Sequence, residues 1–298
     1  MAGGPLSDTG FASARLADVL ARLCCPVPPS GSGVCAVCHG CPHPGFVTCW
    51  SCARVAGQLG WVCPLVVPVS LYLVHSPLHD CLRRYKDAAR PDSRRRAAAS
   101  AATLLGRFLV DHGDCLRSAA GTGWDYLTTV PSSTGRTGTH PLESALAQVA
   151  WLPVHHRPTL VRGPGRLGHT TASVNGFSIA RPVDGDRILV VDDTFTSGAR
   201  AQSAAAALHR GGAQVVAIVP VGRVIDPSHG PHVSAWWAAR AGEPFDLGRC
   251  CLDRADDPGP VLRPAPSMSE DRARALPEPR LSAAVGAGCR PAGLWDLG

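Results

Sequence analysis

Ile188-Leu-Val-Val-Asp192-Asp193-Thr-Phe-Thr-Ser-Gly198-Ala-Arg200 sets four apolar residues ahead of two carboxylates and a run of small hydroxyl residues. The apolar run reads as a strand buried on both faces, Arg187 to Val191. Two aspartates then stand at its C-terminal end, where open α/β sheets bind their ligands. The turn from Thr194 leads into an alanine-rich helix, Ala199 to Arg210, which Gly211 and Gly212 end. Gln214 to Val221 is the next strand. Strand, turn, helix and strand in this order imply a parallel, doubly wound sheet with helices on its faces, an α/β fold.

The turn has the chemistry of an anion site. Its hydroxyls and backbone N–H groups can wrap a phosphate at the helix N-terminus, where the helix dipole favours negative charge. Gly198 lets the backbone close around that phosphate with no side chain in the way. Adjacent carboxylates suit a ribose, because each can accept hydrogen bonds from the 2′- and 3′-hydroxyls. They can also stabilise positive charge developing at C1′, an electrostatic role rather than proton transfer. The expected ligand is therefore a ribose 5-phosphate group. The plain alternative is an ordinary strand–helix–strand unit whose aspartates only cap the turn.

Outward from this stretch the pattern continues. Asp125 to Val130 is a short β-rich run that ends at Pro131 and a Ser/Thr/Gly turn. Pro141 suits the first position of a helix over Leu142 to Trp151. Thr159 to Val161 is another short strand. Residues 162 to 186 form a long Gly-rich segment, and a loop of that length in a compact domain is usually functional. Earlier in the chain, Pro77 to Ala89 reads as a helix with a basic cluster, Arg83, Arg84, Lys86 and Arg90, expected to be a solvated face. Asp92 or Ser93 is placed to cap a second helix running to about His112, with Leu104, Leu105, Phe108 and Leu109 as its buried stripe. Phe11 to Leu23 is an amphipathic candidate with Leu16, Val19, Leu20 and Leu23 on one face. Residues 226 to 253 have no legible placement. Residues 254 to 298 are Pro/Ala/Arg-rich and read as a disordered tail.

Eight of the thirteen cysteines fall in the first quarter of the chain. Cys35-Ala-Val-Cys38 and Cys49-Trp-Ser-Cys52 are two CxxC pairs with ten residues between them. Four thiolates so spaced make a closed tetrahedral site for structural zinc, with a redox pair as the alternative. Cys24, Cys25, Cys41, His39 and His43 are near enough to replace a nominal ligand. No Lys or Arg lies between Cys35 and Cys52, so the module is a poor binder of nucleic-acid backbone and is better read as a folding staple.

The chain divides into three regions: residues 1–63 with the cysteine module, 64–253 as an α/β domain, and 254–298 as the tail. The net charge of +6 suits anionic ligands and falls short of a dedicated nucleic-acid binder. The longest apolar run, Trp61 to Val74, is broken by Pro64 and Pro68 and is too short to span a bilayer. The N-terminus lacks a secretory pattern, and a cytoplasmic location with no membrane insertion is expected.

The Asp-Asp loop resembles the phosphoribosyl pyrophosphate motif of type I phosphoribosyltransferases. The resemblance implies that Asp192 and Asp193 are the catalytic acids that hold the ribose hydroxyls. Thr194, Phe195, Thr196, Ser197, Gly198, Ala199 and Arg200 would hold the 5′-phosphate. Thr194 stands where a small aliphatic residue is common, and Arg200 ends a motif that usually closes with Thr. Family members place a pyrophosphate loop after the first core strand, which here implies Ser132, Ser133, Thr134, Gly135 and Arg136. Residues 162 to 186 would match the loop that closes over the site. The cysteine module ahead of such a motif is similar to the ComF/GntX-like family over roughly residues 20 to 225, with Leu82 and Arg84-Tyr85-Lys86 as the counterpart of its Leu-Lys-Tyr segment. The activity this resemblance implies is that of a magnesium-dependent phosphoribosyltransferase with an unidentified nitrogen acceptor. The second implied reading is a non-catalytic ligand-binding regulator or DNA-uptake accessory. Glutamine-dependent amide transfer is not expected, since a Met-Ala start offers no N-terminal nucleophilic cysteine. Nucleic acid and a homodimer stay open as partners.

Overall fold

The computed structural model describes residues 19–132, 141–146 and 155–253. In chain order its elements are α1 (Trp50–Leu59), β1 (Ser70–Leu73), α2 (Pro77–Asp87), α3 (Pro91–Ala120), β2 (Tyr126–Thr129), α4 (Pro141–Leu146), β3 (Leu160–Arg162), β4 (Phe177–Ile179), β5 (Arg187–Phe195), α5 (Ala199–Arg210), β6 (Gln214–Ile225) and α6 (Pro231–Ala238). Four of the strands form one sheet in the order β1-β6-β5-β2, every neighbouring pair parallel. The architecture is α/β and compatible with a Rossmann-like fold. Among the described residues no helix is long and apolar enough to cross a membrane.

Strand periodicity divides the core in two. Leu127, Leu189, Val191, Ala217 and Val219 face one side and pack with Leu104, Leu105, Phe108 and Leu109 of α3. Tyr126, Ile188, Val190 and Ile218 face the other and pack with Ala204, Ala205 and Leu208 of α5. Cys35, Cys38, Cys49 and Cys52 belong to this second cluster, so the cysteine module shares the core of the sheet. Both sheet edges are covered, as unpaired strand edges otherwise invite association. Cys25 bridges Leu71 on β1, and the backbone around His156 pairs with Leu127 on β2.

Several elements differ from the sequence reading. The acids lie on β5, not after it, because the ladder with β6 continues to Phe195, paired with Arg223. β1 emerges from the apolar run Trp61 to Val74. Its pairing begins at Val66, opposite Ile218, and becomes regular only beyond Pro68, which has no N–H for the ladder. α3 starts at Pro91, with Arg90 as the N-cap instead of Asp92 or Ser93, since proline fits the first helical turn. It then passes His112 and Gly113 and ends at Ala120, where Gly121 takes a left-handed conformation. Burial of Leu116 supports that last stretch. The long segment after β3 is a folded hairpin, with Phe177 opposite Arg162 and Ile179 opposite Leu160. Its two sides approach so closely that a Cβ at Gly163 would lie 2.4 Å from the Asn175 carbonyl oxygen.

Of the N-terminal amphipathic candidate, residues 19–21 are described and helical. Leu20 is buried and Leu23 packs beside it, but Val19, expected on the same face, is exposed. The helix opened by Pro141 is described to Leu146. The tail, residues 254–298, lies outside the described residues. Residues 226–253 fold into a short turn, α6 and a loop that returns to α3, where the His112 Nε2 sits 2.8 Å from the Leu247 carbonyl oxygen.

Candidate functional site

β5 and α5 meet in a turn that only glycine can complete. Gly198 has φ +82°, and a Cβ there would sit 2.4 Å from Cζ of Phe195. Gly198 caps α5, and its carbonyl accepts the Gln202 N–H at 2.9 Å. The Ala199 N–H points back to Ser197 Oγ at 3.2 Å, and that hydroxyl donates to the His169 carbonyl oxygen. The turn therefore has its backbone curled at a helix N-terminus, the geometry that collects anions.

An open cleft of about 250 Å³ lies over this turn. Asp192, Thr194, Thr196, Ser197, Gly198 and Arg200 line it from the β5–α5 side. Gly168 and His169, at the tip of the β3–β4 hairpin, close it from the other. The hairpin is tied down by hydrogen bonds from Ser173 N–H to Ser203 Oγ (2.9 Å) and from Ala172 N–H to Gln58 Oε1 (2.8 Å). His169 has no motif in the sequence. Its one signal is its position in a long segment that had to go somewhere near the site.

Consecutive strand residues point to opposite faces, and the two acids follow that rule. Asp192 lines the cleft. Asp193 faces α2, where Tyr85 Oη donates to its Oδ2 and Lys86 Nζ forms an ion pair with the same oxygen. Of the basic cluster read as a solvated face, Arg83, Arg84 and Arg90 are exposed, whereas Lys86 turns inward to this acid. The helical spacing that exposes Arg83 and Arg84 buries Leu82 and Tyr85 and carries Lys86 to the strand end. Tyr72 on β1 adds a hydrogen bond from its hydroxyl to Thr194 Oγ1 at 3.2 Å.

Burial pushes the Asp192 carboxyl up to about 8, and the neighbouring Asp193 charge pushes in the same direction, against Arg200 and Lys86. Burial likewise raises the Tyr85 hydroxyl well above its ordinary range, with the Asp193 charge adding to it, so it stays a donor. Asp192 shares the cleft with Arg200 and the hydroxyls of Thr194, Thr196 and Ser197. The expected pyrophosphate loop begins at the end of β2, beside β5, with Val130 N–H bonded to the Val191 carbonyl at 3.1 Å. Ser132 is described there, while Ser133, Thr134, Gly135 and Arg136 lie outside the described residues.

The cysteine module abuts this turn from below. Cys35, Cys38, Cys49 and Cys52 are buried with their sulfurs within 4.8 Å of one another, a cluster that could hold a metal ion. Cys38 Sγ and Cys49 Sγ are 3.7 Å apart, against the roughly 3.8 Å that bonds of about 2.3 Å impose around a tetrahedral zinc. Cys49 caps α1, Cys52 lies in its first turn, and the Cys49 N–H points to Cys35 Sγ at 3.2 Å. Hydrogen bonds from Cys35, Cys49 and Cys52 hold Cys38 well below the usual thiol range. The rival ligands are elsewhere: Cys24 Sγ is bonded to the Leu20 carbonyl, Cys41 Sγ to that of Pro42, and His39 Nδ1 is 2.9 Å from that of Pro28.

Arg223 joins the two sites. No motif marks it in the sequence, although a lone arginine in the otherwise uncharged strand β6 is a signal. It is 7% exposed. Its Nε donates to Cys38 Sγ at 3.3 Å and its Nη1 to the Thr196 carbonyl at 2.7 Å. Burial opposes its charge, and the cysteine sulfurs outweigh that cost and keep it firmly protonated. A buried cation demands a buried anion, and a metal-bound set of four thiolates is one.

Neither a protein-family model, nor a curated protein, nor a solved structure matches this chain.

Proposed function

We propose that the chain is a phosphoribosyltransferase that binds phosphoribosyl pyrophosphate at the β5–α5 turn. It would pass the phosphoribosyl group to a nitrogen acceptor and release pyrophosphate. One observation carries the reading: Asp192 lines the same cleft as Thr196, Ser197 and Gly198 at the N-terminus of α5. A carboxylate for ribose hydroxyls thus stands beside a cradle for the 5′-phosphate. The resemblance to ComF/GntX-like phosphoribosyltransferases in the Asp-Asp loop and the CxxC pairs points the same way.

In this reading Asp192 accepts the ribose hydroxyls and, once ionised, steadies positive charge at C1′ as pyrophosphate departs. Thr196, Ser197 and the backbone of Gly198 hold the 5′-phosphate, and Arg200 adds charge to it. The tip of the hairpin at Gly168 and His169 shields the reacting carbon from water. Asp192 is the one carboxylate lining the cleft among the described residues, which suits a magnesium ion held chiefly by the ligand's own oxygens. That ion would neutralise the pyrophosphate charge. A structural zinc on Cys35, Cys38, Cys49 and Cys52 completes the proposal and, through Arg223, props the phosphate turn from behind.

A second reading, a regulator that binds the same ligand without turnover, is favoured by one observation. Asp193, the second acid, is already engaged by Tyr85 and Lys86.

Titration calorimetry with phosphoribosyl pyrophosphate and magnesium tests the binding claim. Heat of binding is expected for the wild type and its loss for Asp192→Asn, at a cost of at least about tenfold in affinity for a charged hydrogen-bond partner. No heat from the wild type would overturn the proposal. Pyrophosphate release with nucleobases or amines separates the enzyme from the regulator.

A further inference from the structure

Outside the residues that line the cleft, α3 carries His112 and Cys115 three residues apart, and so on one helical face. The loop after α6 brings Cys250 and Asp253 against them. One ligand atom from each of the four side chains lies within 4.8 Å of the others. His112 Nδ1 is 3.8 Å from Cys115 Sγ, and Cys250 Sγ is 3.6 Å from Asp253 Oδ1. These edges match the roughly 3.5–3.8 Å expected between nitrogen, oxygen and sulfur ligands at zinc distances of about 2.0–2.3 Å.

The histidine is also held as a ligand would be. It is 3% exposed, and its Nε2 lies 2.8 Å from the Leu247 carbonyl oxygen. That contact makes Nε2 the protonated nitrogen and leaves the Nδ1 lone pair aimed at the other three groups, the outer-shell arrangement usual for metal-bound imidazole. On the opposite side the Cys250 N–H donates to Asp253 Oδ2 at 2.8 Å, fixing that carboxylate.

We propose that His112, Cys115, Cys250 and Asp253 form a second metal site, distinct from the four-cysteine cluster, that binds zinc in a closed tetrahedral N/S/S/O set. On binding, each thiol passes its proton to solvent and becomes a thiolate. Imidazole, thiolate and carboxylate together suit zinc better than magnesium or calcium, which prefer oxygen alone. The site would pin the 246–253 loop to α3, a structural role independent of the phosphoribosyl reading.

The test uses the full chain purified under reducing conditions. Metal analysis should find about two zinc equivalents per chain, falling to about one in Cys115→Ser/Cys250→Ser. Alkylation mapped by mass spectrometry should find Cys115 and Cys250 protected in the zinc-loaded protein and reactive after chelation. Cobalt titration should give a second absorption band set, absent from the double variant. A single equivalent in the wild type, lost when Cys38 is replaced, would overturn the proposal. So would alkylation of Cys115 and Cys250 at the same rate with and without zinc, a comparison within the wild type that stands even if the variant fails to fold. A Cys115–Cys250 disulfide that persists in reductant would overturn it too.

Discussion

Asp192 carries the pH behaviour of the cleft. Its carboxyl is raised from 3.8 to about 8, first by burial and then by Asp193. The folded protein therefore binds a proton that the unfolded chain has lost, and this part of its stability is full below about pH 4 and fades as pH rises through about 8. Asp192→Asn should remove that component, a slope of about 1.4 kcal/mol per pH unit between about pH 5 and 7. Urea unfolding of both proteins across that range measures it. Ligand affinity should run the opposite way. On the proposed function the ionised carboxylate is the form that accepts hydrogen bonds from the ribose hydroxyls, so binding of phosphoribosyl pyrophosphate should strengthen toward pH 8 and release a proton, which calorimetry in buffers of different ionisation heat detects.

The strand–turn–helix unit depends on the left-handed residue at its corner. Gly198→Ala should cost about 1–3 kcal/mol, since the new methyl meets the Phe195 ring and the backbone angle is unfavourable. On the proposed function the same change should also weaken binding of phosphoribosyl pyrophosphate, because relieving the clash reshapes the turn. Denaturation and binding heat together check it, and an unchanged protein in both would mean that the turn relaxes freely. This unit was also the most legible part of the sequence, for physical reasons. Four apolar residues, two acids and two terminating glycines each act locally. β1 was hidden by Pro64 and Pro68, β4 by the glycine-rich segment around it, and the end of α3 by Gly113, which a well-packed helix tolerates. The Tyr85 and Lys86 contacts with Asp193 were not legible at all. They join residues more than a hundred positions apart, and helical spacing puts Lys86 on the face of Leu82 and Tyr85 without saying which acid it meets.

Across the whole molecule, Arg223 ties the cysteine cluster to the β5–α5 turn through Cys38 Sγ and the Thr196 carbonyl. With zinc on the four cysteines, as proposed, a chelator should lower the melting temperature and speed amide exchange over residues 195–198, because the guanidinium that holds the Thr196 carbonyl loses its counter-charge. Arg223→Met should do the same at a cost of about 3–5 kcal/mol, the usual penalty for stranding one partner of a buried charged set. Exchange confined to the cysteine module would show that the two sites are independent. Lys86 is the only lysine in the 298 residues, and it is paired with Asp193 at the end of β5. Lysine-selective isotope labelling would therefore yield one side-chain resonance, placed at the acid pair. The molecule comes with a built-in spectroscopic reporter on whether that pair is clamped or has let go.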